Sequence, residues 1–292
     1  MSFQIEEYHR PRVAAQAVEI LSRYGSKARV IAGGTDILPL RPGVNQIDTL
    51  HHLVDVSNLG LNYIENDDDY IRIGAATNIN TIGAYPLFLS GPYRALSEAA
   101  RSHSTATIRN QATVGGNLCN ASPCGDLALP LLVMEAVLVV AGSNGQREIP
   151  IESFFIGANY TALNSDEILL EIRIPPCSQK AATAFFKLRR QQAAIDMAVV
   201  NVATFILVNK DRCKKARIAL GAVAPVSLRA KKAESILSGA ELNRQIIQKA
   251  AATAAEAARP ISDVRATAAY RKKMVRVMVQ RSLESSLRRC GK

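Results

Sequence analysis

The spacing of apolar and polar residues changes period several times along the chain. VAAQAVEILSRYG (13–25) carries apolar side chains at helical intervals and predicts a helix, and Ala28 to Ala32 is a short apolar strand that the following GGTD breaks. From about Asp55 to about Pro175 the pattern mixes periods. IRIGAA (71–76) reads as a strand, YRALSEAARS (93–102) as a helix and LPLLVMEAVLVVAG (129–142) as a buried stretch. Pro175 and Pro176 then punctuate the chain, since two prolines continue neither a strand ladder nor a helix interior. Beyond them AFFKLR, AVVNVATFILV and ARIALGAV predict an antiparallel meander of about three strands. Ala-rich helices close the chain, the last with apolar positions at Met274, Val277, Met278 and Leu283. No internal repeat or low-complexity segment interrupts this order.

A length of 292 residues exceeds the ~100–200 of one domain, so two domains are expected, and an apolar share of 48% supplies a sizeable core. The start, MSFQIEEYHRPR, lacks the apolar run of a secretory signal. The longest apolar run, Leu127 to Ala141, contains Pro130 and Glu135 and is shorter than the ~18 residues of a membrane span, so a soluble protein without a span is expected. Five cysteines (Cys119, Cys124, Cys177, Cys213, Cys290), with neither a repeated C-x-x-C nor a histidine cluster along the chain, argue against a disulfide framework and a zinc site. No metal ligands are expected, and the reducing cytoplasm is the expected location. The net charge is +11, of which Arg229 to Lys292 hold fifteen basic minus five acidic residues, or +10. That basic tail lacks interleaved aromatics or a binding motif, so nucleic acid is not expected as a partner. Docking to an acidic partner or plain solvation accounts for it better.

Two glycine stretches carry the candidate chemistry. VIAGGTDIL (30–38) leaves a strand, and its glycines permit main-chain N–H groups to point into one concavity, a nest that binds anions. TVGGNL (113–118), inside ATVGGNLCNASPCGD (112–126), has the same apolar entry and Gly-Gly centre, with the Asn117 amide following. Two nests would clasp the two phosphates of a dinucleotide; each stretch alone is more often a tight turn than a ligand cradle. Neither is a G-x-G-x-x-G opening into a helix, so the Rossmann design is excluded.

VIAGGTDIL, IRNQATVGGNLCNASPCGDLALP, DEILLEIRIP and FFKLRRQQAAIDMAVVNVA stand in an order and spacing that resemble the FAD-binding subunit of molybdenum hydroxylases, the xanthine dehydrogenase and aerobic carbon monoxide dehydrogenase group. The resemblance runs from YHRP near the start to AYRKKMVRVMVQR near the end. It implies an α+β fold, with a two-subdomain FAD-binding domain of the PCMH/vanillyl-alcohol-oxidase-like type over residues 1–176 (subdomains about 1–55 and 56–176). A C-terminal domain of the CO dehydrogenase flavoprotein type, a three-stranded antiparallel sheet with a helical bundle, is implied for 177–292.

The resemblance also assigns residues. Val30, Ile31, Ala32, Gly33, Gly34, Thr35, Asp36 and Ile37 form the first loop around the FAD pyrophosphate, and Thr113, Gly115, Gly116 and Asn117 close over it from the other side. Asn120 and Asp126 approach the cofactor, Asp126 through ribityl or ribose hydroxyls, with a helix N-cap before LALPLL as its alternative. Leu169 packs near the flavin ring and Lys187 places a cation beside it, which would raise its potential; a solvent-facing strand lysine is the alternative. Ile195, in the loop Gln191 to Asp196, lies over the exposed ring face. His103 stands near a cofactor-contacting position, or is a hydrogen-bonded structural residue.

One branch of the family, the 4-hydroxybenzoyl-CoA reductases, carries a further [4Fe–4S] cluster on an insertion. No such cysteine-rich loop stands here, so Cys119 and Cys124 read as packing residues. The implied function is electron transfer through FAD, from a small partner subunit with [2Fe–2S] clusters to NAD⁺, O₂ or a carrier. The same resemblance implies molybdopterin on a large partner subunit and assembly as a heterotrimer or its dimer. A stand-alone flavin oxidase or reductase and a non-enzymatic basic binding module are the alternatives. Substrate choice belongs to the molybdenum subunit, so purines, aldehydes, N-heterocycles and carbon monoxide all remain open.

Overall fold

The computed structural model describes residues 5–37, 50–177, 180–191, 197–209 and 212–291. The chain opens with β1 (Glu7–His9), α1 (Ala14–Tyr24) and β2 (Ala28–Ile31), and β3 (His52–Asp55) completes a three-stranded sheet in the order β1-β3-β2. Both pairings are parallel, so His52 lies opposite Glu7 on one side and Ala28 on the other. In α1 the apolar spacing buries Ala17, Val18 and Leu21 against Val54, Ile168 and Leu170. The helix stops where Gly25 takes φ +53, a left-handed conformation that costs glycine little.

A second sheet follows, built from β4 (Ile64–Asn66), β5 (Ile71–Gly74), β6 (Val137–Gly142), β7 (Gly145–Pro150) and β10 (Ile168–Ile174), with the short hairpin β8 (Phe155–Gly157) and β9 (Tyr160–Thr161) just before β10. Its order is β4-β5-β10-β6-β7 and every pairing is antiparallel. Five helices lie between β5 and β6: α2 (Ile79–Ala84), α3 (Arg94–Ser102), α4 (Ala106–Gln111), α5 (Val114–Cys119) and α6 (Ala128–Val133). The buried stretch 129–142 divides into the end of α6 and all of β6, turned by Glu135 at φ +56.

After Pro175 and Pro176 come β11 (Ala181–Leu188), β12 (Val200–Asn209), β13 (Arg212–Gly221) and β14 (Leu228–Arg229), then α7 (Lys231–Leu237), α8 (Arg244–Ala257) and α9 (Ala268–Arg289). The expected three-stranded meander is therefore a four-stranded sheet, because Leu228 and Leu220 pair across β13 and β14. A strand of two residues gives too short an alternation to be read from sequence.

Alternation along β12 sends successive side chains to opposite faces. Val202 and Ile206 pack on α7–α9, while Ala203 and Phe205 join the core beneath α3 and α6. The C-terminal sheet is thus buried on both faces, and one of them closes the core of the preceding segment. On α9 the buried stripe is Val275, Met278, Val279 and Leu283, with Met274 at its margin.

Arg271, 3% exposed, anchors α9 by donating to the carbonyls of Val199 and Ala222 and to Asp263 Oδ1 at 2.7 Å. Burial works to raise the Asp263 carboxyl, but the N–H groups of Arg265 and Ala266 and the Arg271 guanidinium outweigh it and hold the group far below the usual carboxylate range. A depressed folded-state value means that the stabilisation is complete above the ordinary Asp pKa of about 3.9 and is lost as the pH falls below it. Asp263→Ala should therefore lower stability by about 1.5–3 kcal/mol at pH 7, the loss of hydrogen bonds to a charged group. The difference between variant and wild-type urea midpoints should shrink on acidification.

Candidate functional site

β2 ends at Ile31, whose carbonyl accepts from Val56 N–H, and the chain turns through Ala32, Gly33 and Gly34. Gly34 takes φ +69, open to glycine without strain. Among the described residues, none accepts a hydrogen bond from the main-chain N–H of Gly33, Gly34 or Thr35. Gly33 lies directly on the chain at 111–112: a Cβ there would collide with the Gln111 carbonyl and stand 3.0 Å from the Ala112 Cα. The first glycine loop therefore abuts the entrance to the second. Val30 and Ile37 pack partly into the small cores beside the sheet, and burial raises the Asp36 carboxyl against the attraction of His103. Leu38, the last residue of the motif, lies outside the described residues.

The second stretch departs from the expected nest. Thr113 caps α5, its hydroxyl accepting from Gly116 N–H at 3.0 Å. Val114 and Gly115 N–H donate to the Thr77 and Ala75 carbonyls, and Asn117 N–H donates to Thr113. All four donors are spent within the chain, so the anion-binding turn predicted here is instead the first turn of a capped helix. Gly115 is bare for a packing reason, since a Cβ would stand 2.6 Å from the Ala75 carbonyl oxygen. Gly116 is exposed, and Asn117 Oδ1 is buried without a partner among the described residues. A buried unpaired acceptor of this kind suits a hydroxyl donor. Asn120 ends α5, and its carbonyl takes the Asn159 amide at 2.9 Å.

The polar centre forms where the C-terminal sheet meets these loops. Lys187 Nζ on β11 lies 2.7 Å from Asp126 Oδ2, with the two side chains 7% and 3% exposed. Asn201 Nδ2 reaches Asp126 Oδ1 at 3.3 Å, and His103 Nδ1 stands 3.5 Å from Oδ2. Two arginines fix the turn at His103. Arg109 donates to the carbonyls of His103 and Ser104, Arg189 donates to Ser102, and Ser104 is held at φ +41.

Both alternatives for these residues are thereby removed. Asp126 is not an N-cap, since α6 is preceded by Leu127 with no side-chain cap, and Lys187 does not face solvent. Lys187 is not an isolated cation either, because Asp126 balances it. Leu169 sits in β10 within the main core, beside a bulge in the β6 pairing. Ile195, with residues 192–196, lies outside the described residues.

Sequence reading passed over Asn201. An amide inside the apolar run AVVNVATFILV, opposite a glycine on the next strand, was the available signal: a Cβ on Gly221 would meet the Asn201 side chain. Burial pushes the Cys119 thiol up to about 12 and raises that of Cys124, whose sulfur faces the Ala198 carbonyl. Both are packing thiols at neutral pH. The search for a histidine cluster along the chain also missed one in space, where β1 and β3 bring Glu7, His9 and His52 together.

N–H donors and an amide oxygen that have no partner among the described residues, with an exposed glycine beside a buried polar centre, fit the phosphates and hydroxyls of a dinucleotide such as FAD. Comparisons with known proteins agree. Residues 1–177 match the family model of the FAD binding domain in molybdopterin dehydrogenase, and residues 183–286 match the CO dehydrogenase flavoprotein C-terminal domain. The chain is 32% identical over 286 residues to the carbon monoxide dehydrogenase medium chain of Hydrogenophaga pseudoflava, covering 98% of each. It is 31% identical over 294 residues to a putative xanthine dehydrogenase FAD-binding subunit of Escherichia coli K12, covering 99% of this chain and 98% of that one. Among solved structures, carbon monoxide dehydrogenase from H. pseudoflava superimposes with a TM-score of 0.93 at 32% identity, covering 99% of this chain and 100% of that one.

Proposed function

The chain belongs to the FAD-binding medium subunits of the carbon monoxide dehydrogenase and xanthine dehydrogenase family, and from that premise we propose that it is the electron-transfer subunit of a molybdenum hydroxylase. It takes electrons from the [2Fe–2S] clusters of a small partner and delivers them to an external acceptor (NAD⁺, O₂ or a carrier), with molybdopterin on a large partner. FAD, when bound, supplies the chemistry by accepting electrons singly and releasing them in pairs.

This chain's residues bind and orient. Gly33, Gly34 and Thr35 offer N–H groups to the pyrophosphate, and Asn117 offers its unpaired oxygen to a hydroxyl. The Asp126–Lys187 pair, steadied by Asn201 and His103, closes the polar end of the site without net charge of its own. The observation that carries the reading is a row of N–H donors that no described residue accepts, on a glycine turn pressed against the second glycine stretch.

We assign the division between an FAD domain of the PCMH/vanillyl-alcohol-oxidase-like type and a C-terminal domain to Pro176, supported by family models that meet across 177–183. A heterotrimer in the cytoplasm is the expected setting. Among the described residues no helix is long and apolar enough to cross a membrane.

The test is flavin and metal analysis of the chain purified from its host with whatever accompanies it. FAD released on denaturation, with iron and molybdenum in two companion chains, is the expected result. A colourless chain that takes up no added FAD would refute the reading.

A further inference from the structure

We propose that Glu7, His9 and His52 form a binding site for one zinc-class divalent ion, remote in chemistry from the flavin and built from strand register alone. Glu7 and His9 are two apart on β1, so their side chains leave the same face, and the parallel register sets His52 of β3 directly opposite Glu7. His9 Nε2 and His52 Nδ1 come within 3.2 Å of each other, and Glu7 Oε2 lies 3.9 Å from His52 Nδ1. A tetrahedral ion bound at ~2.0–2.1 Å spaces its ligand atoms ~3.3 Å apart, so the two imidazoles already stand at its bite distance. Glu7 is 56% exposed and has the freedom to close the remaining gap.

The rings are held in place. The His52 ring stacks on Tyr24 with centroids 3.7 Å apart, and the two histidine side chains are only 12% and 9% exposed. Glu7 Oε1 also stands 3.5 Å from His9 Nδ1, so this one carboxylate lies within reach of both rings. Between His9 Nε2 and His52 Nδ1 only one proton fits, and the ion takes its place. Two imidazoles and a carboxylate suit zinc rather than calcium or magnesium. A cleft of about 490 Å³, lined by Glu7, His9, Gln16 and Glu19 with the cationic Arg10 and Arg23 among its walls, reaches two of the three ligands and gives solvent access for entry and for a fourth, water ligand. The bound ion would staple the three-residue edge strand β1 to β3, the centre of the sheet whose other edge, β2, leads into the first glycine loop.

The experiment is calorimetric titration of the full-length, metal-stripped chain with zinc, beside thermal melting with and without the ion. One zinc per chain and a raised melting temperature are expected. His52→Phe, which keeps an aromatic ring on Tyr24, and His9→Gln should each abolish the binding isotherm and the thermal shift. Glu7→Gln should weaken binding at least tenfold. His51→Asn, on the neighbouring residue paired with Glu6, should leave both readouts unchanged. Circular dichroism identifies any variant that fails to fold, and His9→Gln then decides in place of His52→Phe. Absence of uptake by the wild-type chain, or an isotherm unaltered in folded His52→Phe or His9→Gln, overturns the site.

Discussion

Lys187→Met should lower the stability of the chain by about 3–5 kcal/mol, because it leaves the carboxylate of Asp126 buried without its counter-charge. Asp126 is 2% exposed, and after the substitution its remaining polar neighbours are Asn201, one hydrogen bond at 3.3 Å, and His103 at 3.5 Å. Methionine fills nearly the volume of the lysine stem, so the cost is electrostatic rather than a cavity. Lys187→Met with Asp126→Asn removes both charges and keeps an acceptor for Asn201, so the double variant should recover more than half of the loss. Urea titration with an unchanged slope measures each corner of the cycle. A change within about 0.5 kcal/mol for Lys187→Met would return the lysine to the solvent-facing reading. With the flavin seated as proposed, a lysine balanced at 2.7 Å by a carboxylate would exert far less field on the ring than the lone cation that the resemblance implies.

The elements that were legible in the sequence are those with long, regular periods. Helices α1 and α3 and strands β11 to β13 fall where apolar spacing places them, and the first glycine loop leaves a strand as read. What escaped reading was set by neighbours distant in sequence. Nothing local to TVGGNL shows that the Ala75 and Thr77 carbonyls arrive to take two of its donors. The buried partner of Lys187 lies 61 residues earlier, and the amide that steadies both sits in an apolar strand. Likewise Glu7 and His52 become neighbours only through a parallel pairing, which leaves no mark on either segment. Period reports the face of an element; which elements meet is decided by the assembled core.

The two glycine stretches differ in why they are bare, and substitution should separate the reasons. Gly33→Ala should cost about 1–3 kcal/mol or more, the price of overpacking, since the added methyl meets the Gln111 carbonyl and Ala112 Cα and neither is a side chain that can swing aside. The loop must lift away from 111–112, carrying the N–H groups of Gly34 and Thr35 with it, so flavin retention should be lost together with stability. Gly116→Ala meets only the Thr113 hydroxyl at 3.0 Å, in a helix that gains from alanine, so its stability should stay within about 0.5 kcal/mol of wild type. If the dinucleotide passes over that exposed face, Gly116→Ala should still weaken flavin binding. Stability from urea midpoints and FAD stoichiometry after gel filtration resolve the two effects. A Gly33→Ala chain that kept one FAD at wild-type stability would show that the first loop neither packs on the second nor cradles the cofactor. Loss of flavin in Gly116→Ala without loss of stability would locate the cofactor on the open side of α5, where the helix's spent donors leave the side chain of Asn117 as its local anchor.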